Sequence, residues 1–440
     1  MTYLKSRRFI GAAFTAITML SITRTITGNG DLTSPVTIAQ ALVFASPIAL
    51  AGLAGIWAER AGVINIGLEG MMILGTFGAG WAGWQWGVWA GVLAGVIFGA
   101  IGGLLLAVAA VTFGVDQIIA GTAINLLALG LTKFLAILLF TDAPGGGQAQ
   151  SPPIKGEIPT FSFETFSASV AEFFAGIQEN GIFLLSYLAG ILSDLFYRLS
   201  KLNDALTSLH DRGIFFISDL AGIIAGLFSN LSLLTIITFL LFVMTSYLLW
   251  KTAFGLRLRS AGENPWAADS LGVKVVQFKY AAVVFSGMLA GLGGAYLSIA
   301  STIYRNGNTA GRGYIGLATM IFGDWRPGGT GAGALMFGYI DTLRLIDTGN
   351  QNVKGLILLG AIILFTIGGI MLRRNRRNSG IGFLVLGSVM IGAYFSATSF
   401  PPEVAQVAPY ITTLLVLATA SQNLRPPAAD GIPYRKGDHH

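Results

Sequence analysis

Residues 87–110 read GVWAGVLAGVIFGAIGGLLLAVAA, an unbroken apolar run with several glycines and no charged side chain. A helix that crosses a bilayer needs about 20 mostly apolar residues, and this run is long enough. Glycine suits helices whose backbones approach closely inside a bilayer, because small residues allow the contact. The stretch therefore predicts a transmembrane helix that packs closely against its neighbours.

The composition of the whole chain agrees with that stretch. Of 440 residues, 53% are hydrophobic and only 11% are charged, against about 25% in a soluble globular protein. Mean hydropathy is +0.69, and 59 residues are glycine. These values exclude a water-soluble enzyme, a disordered chain and a nucleic-acid-binding domain. The chain has no cysteine and only three histidines, His210, His439 and His440, so no metal site is predicted.

Apolar runs of spanning length recur along the chain and predict an all-α polytopic membrane protein of about 10–12 transmembrane helices. The predicted spans are 9–27, 36–56, 62–80, 87–110, 117–140, 231–250, 279–302, 329–347, 354–372, 380–397 and 404–422. A shorter piece, 312–325, is expected to be either a crossing or a re-entrant half-helix. We expect the first span to be a retained helix rather than a signal peptide, because no small-x-small cleavage site follows it.

The distribution of charge predicts the orientation and explains the net charge of +6. Residues 141–230 carry nine acidic and four basic side chains, whereas the basic residues concentrate in the other loops. Because Lys and Arg collect on cytoplasmic loops, we expect this acidic insert to be external and both termini to be cytoplasmic. The basic loop 251–278 is then cytoplasmic too. For the loop 373–377 to be cytoplasmic as well, segment 312–325 must count as one pass.

The insert 141–230 is expected to hold amphipathic helices at 166–177 and 182–199 that lie on the outer membrane surface. In an alternative interpretation, 182–199 and 213–228 are two additional, weakly predicted transmembrane spans. The predicted organisation is an N-terminal end with the first helix, a first core half, the external insert, a second core half and a cytoplasmic tail. The corresponding ranges are 1–35, 36–140, 141–230, 231–425 and 426–440.

The two predicted core halves share a short internal echo. Gly52–Gly55 is followed by the stretch 66–72, and later Gly291–Gly294 is followed by 315–320, with similar residues in both copies. In the predicted topology the two copies run through the membrane in opposite senses. Inverted repeats of this kind place a translocation path between the halves, which favours a transporter over a membrane enzyme.

Sequence motifs for catalysis are missing. The chain has no G-x-x-x-x-G-K-[ST] phosphate loop, so we expect it not to hydrolyse ATP itself. It also has no H-E-x-x-H protease motif and no cluster of catalytic polar residues near one interface. These observations predict a protein that is not an enzyme.

Residues 255–273, GLRLRSAGENPWAADSLGV, form the most informative cytoplasmic stretch. Asn264 and Pro265 suit the start of a helix, and Gly272 suits its end. Ala267 and Ala268 are small enough to allow close approach of a neighbour. The stretch predicts either a short coupling helix that docks on another protein or an ordinary positively charged cytoplasmic loop.

Three stretches resemble the permease subunits of bacterial ABC importers for ribose, nucleosides and branched-chain amino acids. Residues 262–273 are similar to the element G-x-N-P-x-A-A-x-x-x-G-[IV] of that superfamily. The stretch 59–72, ERAGVINIGLEGMM, looks like the block typical of its nucleoside branch. Residues 313–325, GYIGLATMIFGDW, are similar to the block G-[FY]-x-x-[IL]-A-x-x-[IL]-x-G-x-W. The resemblance covers roughly 36–140 and 231–425.

This resemblance implies a permease of the large, type II-like importer architecture, with two inverted pseudo-repeats. It implies an ATPase partner that holds ATP and Mg²⁺, a second permease subunit that is a different chain, and an external substrate-binding lipoprotein. The permease itself would carry no cofactor and would contact lipid but no nucleic acid. The ATPase-coupling residues implied by the match are Gly262, Glu263, Asn264, Pro265, Ala267, Ala268 and Gly272.

Polar residues inside predicted spans have either a transport role or a structural one, because such groups must face protein or water. Asn65 and Glu69, four residues apart, would share a helical face and line the substrate path or join neighbouring helices. Gln117 and Asn125 pose the same alternative. Asp341 and Arg344 are spaced for a structural ion pair.

The function predicted from the sequence is the permease subunit of an ATP-driven importer for nucleosides or related ribosyl compounds. A sister importer for a sugar or a branched-chain amino acid would share every feature except the substrate. A proton-coupled secondary transporter that depends on Asp341 or Glu69 is the alternative from a different class.

Overall fold

The computed structural model describes residues 2–180, 183–346, 351–373, 376–397 and 424–435. Most of these residues are helical, and they include two strands of two residues each, β1 (Thr160–Phe161) and β2 (Leu231–Ser232). The prediction of an all-α polytopic membrane protein is confirmed. The predicted span 404–422 lies outside the described residues.

Seventeen α-helices lie in the described part of the chain. In order they are α1 (Thr2–Thr27), α2 (Pro35–Arg60), α3 (Leu68–Trp86), α4 (Val88–Ala107), α5 (Gln117–Phe140), α6 (Phe163–Asn180), α7 (Phe183–Ser200), α8 (Leu202–Asp211), α9 (Ile217–Leu227), α10 (Leu233–Lys251), α11 (Ala253–Glu263), α12 (Pro265–Ser270), α13 (Val275–Ala300), α14 (Arg312–Phe322), α15 (Pro327–Leu345), α16 (Gln351–Arg373) and α17 (Arg377–Ser396). A π-helical turn, Val108–Thr112, extends α4, and a 3₁₀ turn, Gly30–Thr33, precedes α2.

Seven helices in the described part of the chain are long and apolar enough to cross a membrane: α2, α4 with its π turn, α5, α10, α13, α16 and α17. The predicted spans 9–27, 62–80 and 329–347 fall on α1, α3 and α15, which have 26, 19 and 19 residues. Helix α14 has 11 residues and is about 17 Å long, roughly half of the hydrocarbon thickness. Helix α14 thus has the length of a half-helix, and whether segment 312–325 as a whole crosses the membrane stays a prediction.

The chain divides into two compact units. Unit 1 comprises Met1–Leu42, Thr160–Leu231 and Tyr339–Tyr410, and unit 2 comprises Val43–Pro159, Ser232–Gly338 and Ile411–His440. Each unit is therefore assembled from three separate stretches of sequence. Helices α2 and α15 contribute residues to both units.

Unit 1 contains α1, most of the acidic insert, α16 and α17. The predicted amphipathic helices of the insert correspond to α6 and α7, which pack with the rings of Phe174 and Phe196 stacked 6.1 Å apart. Helix α9, with 11 residues, is too short to be the spanning helix that the alternative interpretation placed at 213–228. Asp219 of α9 is fully buried and lies 2.8 Å from the guanidinium Nε of Arg24, so the insert is tied to α1.

Glycines bring the helices of unit 2 into backbone contact. On α13, a methyl group at Gly291 would overlap the carbonyl oxygen of Gly95 on α4 and lie 2.8 Å from the Cα of Gly99. A methyl group at Gly294 would overlap the carbonyl oxygen of Met72 on α3. Only glycine permits these approaches, which is the close packing that the composition predicts for helices in a bilayer.

In the structure, the glycine-rich part of each copy of the internal echo contacts the helix of the other copy. Gly52 of the first copy faces α14, where a methyl group would lie 2.7 Å from the Thr319 hydroxyl oxygen. Gly294 of the second copy faces α3 in the same way. Each copy runs from a long helix, α2 or α13, through a loop into α3 or α14. The opposite orientation of the two copies in the membrane stays a prediction.

Candidate functional site

The stretch 59–72 forms the junction between α2 and α3 in unit 2. Helix α2 ends at Arg60, and Gly62 takes a positive φ of 77°, so the chain leaves the helix there. Helix α3 begins only at Leu68, which puts Asn65 in the loop. The prediction that Asn65 and Glu69 share a helical face is therefore wrong. The turn at Gly62 takes residues 63–67 out of the helix and lets their polar groups bond to other helices.

Two side chains hold this loop in place. The amide of Asn65 donates to the hydroxyl of Ser286 on α13 at 2.9 Å, and Asn65 is fully buried. The carbonyl oxygen of the Gln117 side chain accepts from the backbone N–H of Ile64 at 2.6 Å. Gln117 stands at the start of α5 and is itself buried. The side chains of Asn65 and Gln117 therefore make hydrogen bonds inside the protein that connect the loop to α13 and α5.

Glu69 joins the start of α3 to the start of α14. One carboxylate oxygen accepts from the Thr309 hydroxyl at 2.6 Å and from the Gly311 N–H at 3.0 Å. The other oxygen accepts from the Gly313 N–H at 2.7 Å. A carboxylate at a helix N-terminus is favoured because free N–H groups and the helix dipole point at it. Glycine is needed at 313, where a Cβ would lie 2.6 Å from the Glu69 Cα.

Asn125 of α5 forms hydrogen bonds to the loop before α3, to α3 and to α14. Its side-chain oxygen accepts from the Gly70 N–H at 2.7 Å, and its amide nitrogen donates to the carbonyl of Ile66 at 3.0 Å. The same nitrogen donates to the hydroxyl of Tyr314 at 3.0 Å. Tyr314 is 48% exposed, so Asn125 links the buried junction to an accessible side chain of α14. The structure thus brings together all four residues that were predicted as path candidates.

The other end of α14 is fixed to the end of α2. The indole N–H of Trp325 donates to the Glu59 carboxylate at 2.5 Å, and both residues are buried. The Arg60 guanidinium donates to the carbonyl oxygen of Trp325 at 3.0 and 3.1 Å and to that of Asp324 at 3.2 Å. The stretches 59–72 and 313–325, which lie far apart in sequence, therefore form one connected cluster.

The stretch 255–273 folds into α11 and α12, and Asn264 separates them. The side-chain oxygen of Asn264 accepts from the Ala267 N–H at 3.0 Å, and Pro265 occupies the first turn of α12, as the sequence predicts. Pro265 and Ala268 are buried, whereas Ala267 is exposed and Leu271 is 85% exposed. A short helix with one buried face therefore presents a small apolar face outward.

The residues just before α12 contact the end of α2. A methyl group at Gly262 would overlap the carbonyl oxygen of Arg60, so the two backbones touch. The Glu263 carboxylate lies 3.8 Å from an Arg60 guanidinium nitrogen. Because Arg60 also holds Trp325, the predicted coupling element is one contact away from the cluster around Glu59. Gly272 has a positive φ of 82° and lies just beyond the C-terminal end of α12.

The three stretches that form this arrangement lie within a region that matches a known protein family. Residues 37–367 match the family described as "Branched-chain amino acid transport system / permease component", a family of ABC importer permeases. The chain belongs to this permease family. That membership confirms the predicted class of protein, a multi-pass membrane transport subunit. Permeases of this family work with ATPase and substrate-binding partners in general.

Three similar proteins cover most of the permease. The guanosine ABC transporter permease protein NupQ of Bacillus subtilis is 29% identical over 90% of this chain and 95% of its own length. The nucleoside ABC transporter permease protein NupC of Lactococcus lactis is 29% identical, over 92% and 98%. The putative glucose ABC transporter permease protein TsgC13 of Haloferax volcanii is 28% identical, over 68% and 74%.

The remaining predicted pair lies elsewhere in the permease. Asp341 and Arg344 belong to the part of α15 in unit 1, with a carboxylate oxygen 3.7 Å from a guanidinium nitrogen. Sequence reasoning did not find Ser286, Thr309 or Tyr314 as partners of the path candidates. Each is an ordinary polar residue in an apolar context, and no spacing rule connects it to its partner across 189 or more positions.

Proposed function

We propose that this permease imports nucleosides or related ribosyl compounds. The observation that carries the proposal is the likeness, over nine-tenths of the chain, to relatives named as guanosine and nucleoside permeases. The stretch 59–72 resembles the nucleoside branch and supports the proposal. Its two carboxylates and two of its backbone N–H groups make the hydrogen bonds that join α2, α3, α5 and α14. A sugar is the second candidate, because a putative glucose permease is similar over 68% of the chain.

In this proposal the energy comes from a separate ATPase subunit that holds ATP and Mg²⁺. The ATPase docks on the exposed face of α12, where Ala267 and Leu271 stand outward and Pro265 and Ala268 face inward. A helix of this kind fits a groove on a partner protein. Its movement reaches the end of α2 through Gly262 and Glu263, which both touch Arg60.

The other partners and the orientation follow from the same proposal. A second permease subunit, a different chain, completes the path, and an external lipoprotein delivers the substrate. Both termini lie in the cytoplasm, as the distribution of Lys and Arg predicts. We place the substrate path beside the start of α14, because Asn125 is the path candidate that contacts the half-exposed Tyr314. Asn65, Glu69 and Gln117 then shape the wall of the path.

Uptake of labelled guanosine or uridine tests the substrate. Cells that lack the gene are compared with complemented cells, and excess unlabelled nucleosides, ribose or leucine compete in separate assays. We expect uptake to depend on the gene and to be blocked by nucleosides alone. Competition by ribose or leucine alone would reassign the substrate, and gene-independent uptake would contradict the proposal.

Substitution on α12 tests the docking of the ATPase. Leu271→Asp places a charge on the exposed apolar face, so we expect loss of uptake and loss of ATPase co-purification at normal permease abundance. Leu271→Met is the matched control, because it keeps the apolar contact. Normal uptake by the aspartate variant would rule out this face as the docking site.

A further inference from the structure

The chain segment 424–435, which we name the strap, lies against the coupling element in unit 2. The backbone N–H of Ala429 donates to the carbonyl of Gly262 at 2.9 Å, and the N–H of Ala428 donates to the Glu263 carboxylate at 3.2 Å. Ala429 is 4% exposed, so this contact is a buried one. The strap therefore bonds to both residues that precede α12 and touch Arg60.

The first residues of the strap are attached to the end of α14. The backbone N–H of Arg425 donates to the Asp324 carboxylate at 2.9 Å, and Leu424 packs against the core of unit 2. The carbonyl oxygen of Asp324 in turn accepts from Arg60. The strap thus connects the coupling element to the α14 end by a route that does not pass through Arg60.

Its last described residues cover the inner face of α12. Tyr434 is 7% exposed and belongs to an apolar cluster with Ala261, Ala268 and Val275. Its ring meets that of Trp266 edge to face, with the centroids 5.9 Å apart. Helix α12 has only six residues, too few for a stable helix without tertiary packing. The ring of Tyr434 supplies part of that packing.

The middle of the strap lies beside a group of charged side chains at the α2–α3 junction. The carboxyl of Asp430 lies beside that of Glu59 and within electrostatic reach of the side chains of Lys279 and Arg60. The carbonyl oxygen of the preceding residue, Ala429, lies close to Gly62, where a Cβ would be 3.1 Å from it. The Lys279 ammonium, 2% exposed, donates to the carbonyl of Gly62 at 3.1 Å. Burial raises the pKa of Asp430 to about 7, against the opposite effects of its contact with Glu59 and of the two cations. The strap therefore engages the α2–α3 junction as well.

We propose that the strap is part of the coupling apparatus, and that Asp430 and Tyr434 are positioning residues that transmit movement of α12 to the ends of α2 and α14. This inference rests on the proposed function. A six-residue helix held only at Gly262 can tilt without moving its neighbours. Once Tyr434 covers its inner face and Asp430 fixes the strap to the junction, α12, α2 and α14 move together.

The test uses the complete transporter in proteoliposomes: this permease, its partner permease, the ATPase and the binding protein. ATP hydrolysed and substrate imported are both measured, with guanosine, ribose and leucine in separate arms. For Tyr434→Ala and Asp430→Ala we expect the number of ATP molecules used per substrate to rise about five- to tenfold, because energy released on the ATPase no longer reaches the path. Ile432→Ala, at an exposed position of the same segment, is the matched control and should leave the ratio unchanged.

A structural role alone predicts a different result. If the strap only stabilises the fold, uptake and hydrolysis fall in proportion and the ratio stays constant, which would overturn the proposal. Unchanged uptake and hydrolysis in both variants would overturn it too. The wild-type arms test the substrate separately: import of ribose or leucine but not guanosine contradicts the nucleoside assignment, and the variants are then compared with the imported compound.

A second measurement shows whether the strap is seated. The permease has no cysteine, so Ala429→Cys provides its single thiol, at a buried position. In the complete transporter we expect maleimide to label it slowly, and at least about tenfold faster when Tyr434→Ala is added, since the strap then lifts more often. Fast labelling without the second change would show that the strap is not docked and would refute the proposal.

Discussion

Replacement of Glu69 by alanine should destabilise the permease strongly. The carboxylate is 6% exposed and accepts three hydrogen bonds, from the Thr309 hydroxyl and the N–H groups of Gly311 and Gly313. Hydrogen bonds to a charged group contribute about 1.5–3 kcal/mol each, and a buried donor without a partner costs about 1–3 kcal/mol. Because the loop before α14 can relax towards water, we expect a total loss of about 3–5 kcal/mol.

Thermal or denaturant unfolding of the purified permease in detergent measures this loss. Glu69→Gln should cost nearly as much as alanine, since its NH₂ group would face an N–H donor. Thr309→Val removes one of the three donors and should cost about 1 kcal/mol. In the double variant Glu69→Ala with Thr309→Val, the second change should add almost nothing, because its partner is already missing.

A direct role of Glu69 in substrate binding predicts another pattern. In that case Glu69→Ala and Glu69→Gln would unfold like the wild type, and the KM for nucleoside uptake would rise. Wild-type stability of Glu69→Ala, or additive effects in the double variant, would refute the structural reasoning.

Three further predictions concern packing, the insert and pH. Gly291→Ala should destabilise the permease in the same unfolding assay by about 1–3 kcal/mol, because its methyl group would overlap a carbonyl oxygen of α4. Gly130→Ala, in open space on α5, should be neutral or stabilising. Asp219→Ala removes the fully buried carboxylate that pairs with the Arg24 guanidinium and should cost about 3–5 kcal/mol, read as faster proteolysis of the insert. Asp194→Ala breaks an exposed pair and should cost less than about 1 kcal/mol. The pKa of Asp430 is raised from 3.8 to about 7, so docking of the strap is strongest at acid pH and weakens as the pH rises through about 7. The thiol of the Ala429→Cys variant should therefore be labelled faster at pH 8 than at pH 6, after correction for the reactivity of a free thiol.

Each of these predictions has an outcome that contradicts it. Equal stabilities of the alanine variants at 291 and 130 would mean that the backbones do not meet at Gly291. Equal protease sensitivity of the variants at 219 and 194 would mean that the ion pair between Asp219 and Arg24 does not stabilise the insert. A pH dependence of labelling that persists in Asp430→Asn would assign it to another group.

The sequence predicted the class of the fold, because a membrane span depends mainly on local composition. Segment 87–110 is apolar over the length that a bilayer requires, and α4 with its π turn lies there. The helix start at Asn264 and Pro265 was also predicted, since capping is a local interaction between a side chain and the next turn. The family resemblance rested on three short stretches of sequence, and the family match confirms it.

The tertiary structure alone decided what the polar residues contact. Asn65 and Glu69 looked like neighbours on one helix, but the turn at Gly62 puts Asn65 in a loop. Glu69 has its hydrogen-bond partners 240 to 244 positions away. The carboxyl of Asp430 lies beside that of Glu59, although most of the chain separates them in sequence. A local pattern determines hydrophobicity, helix starts and length, because these depend on nearby residues. Which buried donor meets which acceptor depends on how distant helices pack, and only the folded chain contains that information.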